Sequence, residues 1–291
     1  MLPLLKTMRP RQWVKNAFVF APLVFDGRLE NLSTRVASTV LAFVLLCAMS
    51  SAVYLMNDLA DLESDRQHPI KKNRPLPAGQ LNQGVARGAA VALAVGSLAA
   101  GFTFSTTGFG LILLTYFTIQ VAYTFYIKHI VLLDVMAVAS GFVLRVGAGV
   151  AVIEVARFSP WLYVCTALGA LFLALGKRRH ELVLLGRGAG THRAILDAYT
   201  LEFVDRLIGI VTTSALVAYG LYTFLAEGLP ANHSMMLTIP VIMYMLFRLL
   251  YVMMVEGEGG APEEILLQDR PLQFALLLWC VMVVLFLYVL N

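Results

Sequence analysis

Charge is what this sequence has least of. Of its 291 residues only 14% are Asp, Glu, Lys or Arg, against about 25% in an ordinary soluble domain. Hydrophobic residues make up 59%, and mean hydropathy is +0.77. This balance excludes a soluble enzyme built on a Rossmann fold, a TIM barrel or a helix-turn-helix, and leaves no stretch for a large extramembrane receptor domain. Cysteine is also scarce. Cys47, Cys165 and Cys280 all lie in apolar runs, which excludes a disulfide framework. The net charge of +4 does not require a nucleic-acid partner, because membrane proteins place basic loops on their cytoplasmic side. A cleavable leader is not expected. Lys6, Arg9 and Arg11 run into the first apolar segment with no small-residue cleavage pattern behind it.

What is present is a series of long apolar runs. At about 20 residues per crossing, nine segments qualify: 13–25, 36–59, 85–104, 109–127, 130–153, 160–176, 207–226, 235–255 and 272–290. They predict an all-α, multi-pass membrane protein with a single domain over 1–291. The first segment is the weakest, being short, with Lys15 and Asn16 at its start and Pro22 inside it; a partly interfacial position is its alternative. With the N-terminus inside, seventeen of the 22 Lys and Arg residues fall on one side. Arg28, Arg35 and Arg157 fall on the other, and Arg145 and Arg248 within spans. The expected orientation in a bacterial plasma membrane is therefore a cytoplasmic N-terminus and an external C-terminus. Two cytoplasmic loops, 57–87 and 177–206, carry most of the chemistry and are expected to cover one cavity.

The first loop opens with Asn57-Asp58-Leu59-Ala60-Asp61-Leu62-Glu63-Ser64-Asp65. At about 100° per residue on a helix, Asn57, Asp61, Asp65 and Asp58 fall within a sector of about 100°. Carboxylates gathered at the end of a membrane helix need neutralising, and hard oxygen ligands supplied sparingly by protein suit Mg²⁺, which completes its shell with water and phosphate. An exposed acidic helix end paired with nearby cations is the plainer alternative. Downstream, Arg66-Gln67-His68-Pro69-Ile70-Lys71-Lys72-Asn73-Arg74-Pro75-Leu76-Pro77-Ala78-Gly79 is a basic loop framed by prolines. Lys71, Lys72 and Arg74 beside the carboxylates point to a diphosphate site.

These two motifs together resemble the signature of the UbiA superfamily of intramembrane prenyltransferases, as does the stretch from Tyr123 to Lys128. The resemblance covers essentially the whole chain. It implies nine helices around a lipid-accessible cavity, with Mg²⁺ and a diphosphate at the cytoplasmic end. Asn57, Asp58, Asp61 and Asp65 would then be the metal ligands, and the three aspartates the catalytic set. One departure is informative. Ordinary members carry a second aspartate set at the end of the sixth helix, where this chain reads Gly176-Lys177-Arg178-Arg179-His180-Glu181, and only Glu181 can stand in. Cations in place of carboxylates invite an anion.

That difference, with Arg9-Pro10-Arg11-Gln12-Trp13-Val14-Lys15-Asn16, Gly141-Phe142-Val143-Leu144-Arg145 and Ala261-Pro262-Glu263-Glu264, is similar to one branch of the superfamily. The branch implies transfer of a phosphoribosyl group from phosphoribosyl pyrophosphate to a polyprenyl phosphate, in the making of a cell-wall arabinan precursor. Lys71, Lys72 and Arg74 would take the donor's phosphates; Lys15, Lys128, Lys177 and Arg178 the 5-phosphate or the lipid phosphate. An ionised phosphate acceptor needs no strong general base. Tyr123 and Tyr126 either bond phosphate, line the cavity or belong to an aromatic belt. Arg145 either faces the protein interior or snorkels outward. His68, His129, His180 and His192 share no metal-ligand spacing. Asp197, Tyr199 and Asp205 either cap the site or belong to a solvated helix. Two rival readings stay open, a conventional prenyltransferase acting on an aromatic or quinone precursor and a small-molecule transporter. Prenyl length and oligomeric state stay open too.

Overall fold

A backbone in lipid must satisfy its own N–H and C=O groups, so uninterrupted apolar runs can only become helices or a closed barrel. The computed structural model of this chain describes residues 2–26, 31–153, 159–185, 194–256, 265–266 and 268–290, and among these there is no strand. The order is α1 (Leu2–Met8), a 3₁₀ segment (Pro10–Phe20), α2 (Ala21–Phe25), α3 (Leu32–Ala60), α4 (Leu62–Gln67), α5 (Gln83–Thr103), α6 (Thr107–Phe125), α7 (Leu133–Ile153), α8 (Pro160–Leu185), α9 (Leu201–Leu225), α10 (Ile239–Tyr251) and α11 (Arg270–Val284). Eight helices among the described residues are long and apolar enough to cross a membrane. The stretch 261–264 and His192 lie outside the described residues.

The expected first span is the one that differs. Pro10–Phe20 is a 3₁₀ helix of 11 residues, unusually long for that form, in which side chains at i and i+3 eclipse. The sequence shows why. Trp13, Asn16, Val19 and Pro22 recur every three residues, and this face meets α3. Trp13 Nε1 donates to Ser51 Oγ at 3.1 Å, Asn16 Nδ2 to Ser50 Oγ at 3.2 Å, and Val19 is fully buried. At about 2.0 Å of rise per residue, Pro10–Phe20 covers about as much length as fifteen α-helical residues.

Two further boundaries move. The sixth span does not stop at Gly176 but continues as α8 to Leu185, since Lys177 to Leu185 contains good helix formers and no breaker. The basic run therefore rides on a helix, and α9 begins at Leu201 rather than 207, with Thr200 Oγ1 accepting from the Phe203 N–H as its cap. The first loop is likewise folded. Leu76 and Leu81 are buried against Leu55, Leu62 and Ala86, and the Pro75 carbonyl accepts from the N–H groups of Gln80 at 2.8 Å and Leu81 at 3.1 Å.

The chain groups into two compact units. One contains α1, the 3₁₀ segment, α3 to α6 and α7 from Leu144. Its core packs Leu46, Met49, Ala52, Phe109, Leu113 and Ala148. Within it, Gly149 of α7 lets the Val19 carbonyl approach closely: a Cβ there would stand 2.1 Å from that oxygen. Arg145 faces the interior of this unit, 6% exposed, its Nε donating to Asn16 Oδ1 at 2.7 Å and its Nη2 to Tyr116 Oη at 3.1 Å. The other unit contains α7 up to Val143 and α8 to α11. Its main core includes Phe172, Leu175, Ile208, Leu249 and Leu272. Cys47, Cys165 and Cys280 are all free thiols.

Candidate functional site

The acidic segment does not form one continuous helix. α3 ends at Ala60, Asp61 takes φ −93° and ψ 9°, and α4 starts at Leu62. The turn keeps its hydrogen bonds, Asp61 N–H to the Asn57 carbonyl at 2.9 Å and Asp65 N–H to the Asp61 carbonyl at 2.8 Å. Asp58 and Asp65 are both 2% exposed. Buried carboxylates need cations or metal, and here the cations come from two directions. Arg74 Nη1 lies between the two, 2.8 Å from Asp65 Oδ2 and 3.3 Å from Asp58 Oδ1. Arg9 pairs with Asp58, its guanidinium lying 4.9 Å from the centre of the Tyr54 ring. Lys71 Nζ is 3.6 Å from Asp65 Oδ1. Asp61, more exposed, accepts from Lys128 Nζ at 2.6 Å. Asn57 Oδ1 accepts from the Thr124 hydroxyl.

Around Arg74 opens a pocket of 260 Å³ lined by Lys6, Thr7, Arg9, Asp58, Ile70, Lys71, Asn73, Arg74 and Pro75. Thus Asn57, Asp58, Asp61, Asp65, Lys71, Arg74 and Lys128 are joined by direct contacts or short chains of them. Lys72 is exposed, Lys15 and Tyr123 are half-buried, and Tyr126 is 73% exposed on the turn after α6.

Metal fit can be judged from the donors. Among the described residues no three His, Cys, Asp or Glu side chains are grouped to hold an ion. Asp58 and Asp65 do share one cationic nitrogen. Mg²⁺ needs only one or two protein carboxylates when substrate phosphates complete its shell, so the oxygen donors of this turn fit it.

A second polar cluster lies within the other unit. Arg178, on α8, donates to Asp134 Oδ2 at 2.6 Å and also pairs with Glu181. The Tyr199 hydroxyl donates to Asp134 Oδ1 at 2.7 Å and accepts from the Leu132 N–H at 2.8 Å. Leu132 has φ +68°, a strained conformation for a branched side chain, and this bond helps to hold it. Burial, and next the bond to Asp134, push the Tyr199 phenol up to about 12. Lys177 is exposed; Arg179 donates to Asp205 Oδ1 at 2.7 Å and to the Met253 carbonyl at 2.7 Å. Asp197 is exposed.

Sequence reasoning overlooked Asp134 and the pocket contributions of Lys6 and Arg9. Asp134 was detectable, as a carboxylate in the first turn of an apolar helix needs a buried partner. Arg9 was not, because its approach to Asp58 joins residues 49 apart.

The UbiA prenyltransferase family model matches residues 19–181. The decaprenyl-phosphate phosphoribosyltransferase of Mycolicibacterium smegmatis is 36% identical over 286 residues, covering 95% of this chain and 89% of that protein. The protein of the same name from Corynebacterium glutamicum is 35% identical over 290 residues, covering 98% and 87%. Among solved structures, a UbiA homolog from Archaeoglobus fulgidus bound to DMAPP and Mg²⁺ superposes with a TM-score of 0.72 at 19% identity, over 98% of each chain. That last likeness concerns the fold alone. Since the family model covers more than half of the chain and close relatives align along nearly all of it, this protein belongs to the UbiA prenyltransferase family.

Proposed function

We propose that this protein transfers the 5-phosphoribosyl group of phosphoribosyl pyrophosphate to the phosphate of a polyprenyl, decaprenyl-type lipid and releases pyrophosphate, as an Mg²⁺-dependent membrane transferase. The observation that carries the reading is the buried pair Asp58 and Asp65 beside a pocket with four cations on its walls. Carboxylates alone would suit a metal, and cations alone a phosphate; adjacent to each other they suit a metal-bound diphosphate. Near-full-length identity to proteins named decaprenyl-phosphate phosphoribosyltransferase supports this donor and acceptor over a prenyl diphosphate and an aromatic precursor.

In this reaction an oxygen of the lipid phosphate forms a bond to the anomeric carbon, and the bond from that carbon to pyrophosphate breaks. Asp58 and Asp65, with Asp61 and Asn57 directly or through water, would hold Mg²⁺, which supplies charge stabilisation for the departing pyrophosphate. Arg9, Lys71 and Arg74, paired with these carboxylates in the structure, turn their remaining donors to phosphate oxygens. Fixed cations aimed at developing negative charge are the main source of acceleration in such a site. The attacking phosphate is already ionised, so no side chain has to remove a proton. Lys15 and Lys128 would serve the 5-phosphate of the donor or the phosphate of the lipid. The product is a precursor for cell-wall arabinan, made on the cytoplasmic face of a bacterial plasma membrane.

The test is direct. Purified protein with Mg²⁺, decaprenyl phosphate and radiolabelled phosphoribosyl pyrophosphate is expected to yield labelled lipid. Absence of labelled lipid, together with turnover of a prenyl diphosphate onto an aromatic acid, overturns the reading in favour of a conventional prenyltransferase.

A further inference from the structure

Long 3₁₀ helices have poor hydrogen-bond geometry and rarely run past a few residues, so the 11 residues of Pro10–Phe20 need a hold from outside. Trp13, Asn16 and Val19 supply it, and Asn16 is the most constrained of them. It is 1% exposed; its Nδ2 donates to Cys47 Sγ and to Ser50 Oγ, each at 3.2 Å, and its Oδ1 accepts from Arg145 Nε at 2.7 Å. Arg145, 6% exposed on α7, also donates through Nη2 to Tyr116 Oη at 3.1 Å, its guanidinium lying 5.1 Å from the centre of that ring. A charged donor makes the bond to Asn16 stronger than the neutral ones beside it. Arg9 precedes the same segment, with φ 56° and ψ 62°, a left-handed conformation that a residue with a side chain keeps only when its surroundings fix it. From there it pairs with Asp58.

From this we infer that Arg145 is a positioning residue for the transfer reaction: by holding Asn16 it keeps Pro10–Phe20 in the 3₁₀ form, and that form carries Arg9 to Asp58. The inference rests on the transferase reading above. Length is the reason. Asn16 lies seven residues after Arg9. At about 2.0 Å of rise per residue the two are about 14 Å apart along the axis, whereas an α-helix, at about 1.5 Å, would separate them by about 10.5 Å. Relaxation to the ordinary helix therefore withdraws Arg9 by about 3.5 Å, and it also rotates it by about 140°, since each residue turns about 100° instead of 120°. Either change breaks the pair with Asp58. Arg145 opposes the relaxation because it would strand buried polar groups: if Asn16 turned off the face that meets α3, the guanidinium would lose an acceptor and Ser50 an amide donor, in a place where water does not replace them.

Two measurements on the full-length protein in detergent test this. The first needs no ligand. Nitroxide labels at Arg11→Cys and Gln67→Cys, both exposed positions, report by pulsed electron resonance how far the 3₁₀ segment stands from α4, with Cys165 and Cys280 replaced by Ala and buried Cys47 left in place. Arg145→Met is expected to shift this distance by about 2.5 Å, the difference in rise over the five residues from Arg11 to Asn16. The second is calorimetric titration of pyrophosphate with Mg²⁺. Arg145→Met should weaken binding about tenfold, the scale of one charge-assisted contact, but less than about twofold where Arg9 is already Ala, because an effect that passes through Arg9 is lost with it. Asn16→Ala breaks the same bond from the other side and should reproduce both results, so the outcome does not depend on one variant folding. Tyr116→Phe removes the other bond of Arg145; it should lower the thermal midpoint yet leave pyrophosphate affinity within about twofold, since Asn16 stays held. An unchanged label distance, or equal weakening with and without Arg9, overturns the positioning role. Failure of the wild-type protein to bind pyrophosphate and to make labelled lipid sinks the transferase reading instead, and the label distance still decides whether Arg145 places Arg9.

Discussion

Arg178 donates to Asp134 at 2.6 Å, with both side chains buried, one on α8 and the other at the start of α7. The pair commits the Arg178 charge to a carboxylate of this chain. Removing one member strands a buried charge, which costs about 3–5 kcal/mol. Arg178→Ala and Asp134→Ala should each lower the unfolding free energy by that order, read in detergent as a lower thermal midpoint. A combined Asp134→Leu, Arg178→Met protein should recover part of the loss; a double variant as unstable as the singles summed would show that the two do not act as a pair.

Tyr199 extends this cluster and gives it a pH signature. Its folded-state phenol is pushed up to about 12, whereas an exposed phenol in the unfolded chain ionises near 10. Between these values the unfolded chain binds fewer protons, so stability falls as pH rises. The contribution is complete below pH ~10 and lost by pH ~12. Tyr199→Phe should flatten that part of the stability curve while costing about 1–3 kcal/mol at neutral pH, because Asp134 and the Leu132 N–H lose a partner. An unchanged alkaline slope in chemical unfolding would remove Tyr199 as its cause.

Gly149 sets how closely α7 meets the 3₁₀ segment. A Cβ 2.1 Å from the Val19 carbonyl oxygen and 3.0 Å from the Pro22 ring has no room. Gly149→Ala is expected to destabilise by about 1–3 kcal/mol through backbone displacement, despite the better helix propensity of Ala. A thermal midpoint equal to or above that of the parent would contradict the close approach.

If Asp58 and Asp65 hold the metal as proposed, Arg74, which pairs with both, competes with it. Arg74→Ala should bind Mn²⁺ roughly tenfold more tightly in the absence of substrate, since one charge-assisted contact is released, yet bind pyrophosphate more weakly. Electron paramagnetic resonance of Mn²⁺ reads the first and competition titration the second. Asp65→Asn should lower lipid transfer at least about a hundredfold, the scale of metal charge stabilisation, and chelation should abolish it in the parent. Metal affinity untouched by Arg74→Ala would show that the arginine does not guard the site.

The membrane class and eight of the nine spans follow from sequence because apolar length is a local property, dictated by the cost of unsatisfied backbone in lipid. The Asn57-to-Asp65 motif and the basic loop were equally visible, being contiguous. The 3₁₀ geometry of Pro10–Phe20 was encoded in the three-residue spacing of Trp13, Asn16, Val19 and Pro22, but hydropathy averages over that period and hides it. The helical course of Lys177–Leu185 was masked by its charge, which reads as loop when only apolar length is scored.

What the chain determined by itself was a scarcity of charge across the membrane helices and its concentration at their ends. Which cation serves which carboxylate was decided by tertiary structure. Arg9 reaches Asp58 across 49 residues and Lys128 reaches Asp61 across 67, while Arg178 turns inward to Asp134 across 44. Partners at such separations are chosen by helix packing and by the cost of burying an unpaired charge, neither of which is a property of any local segment.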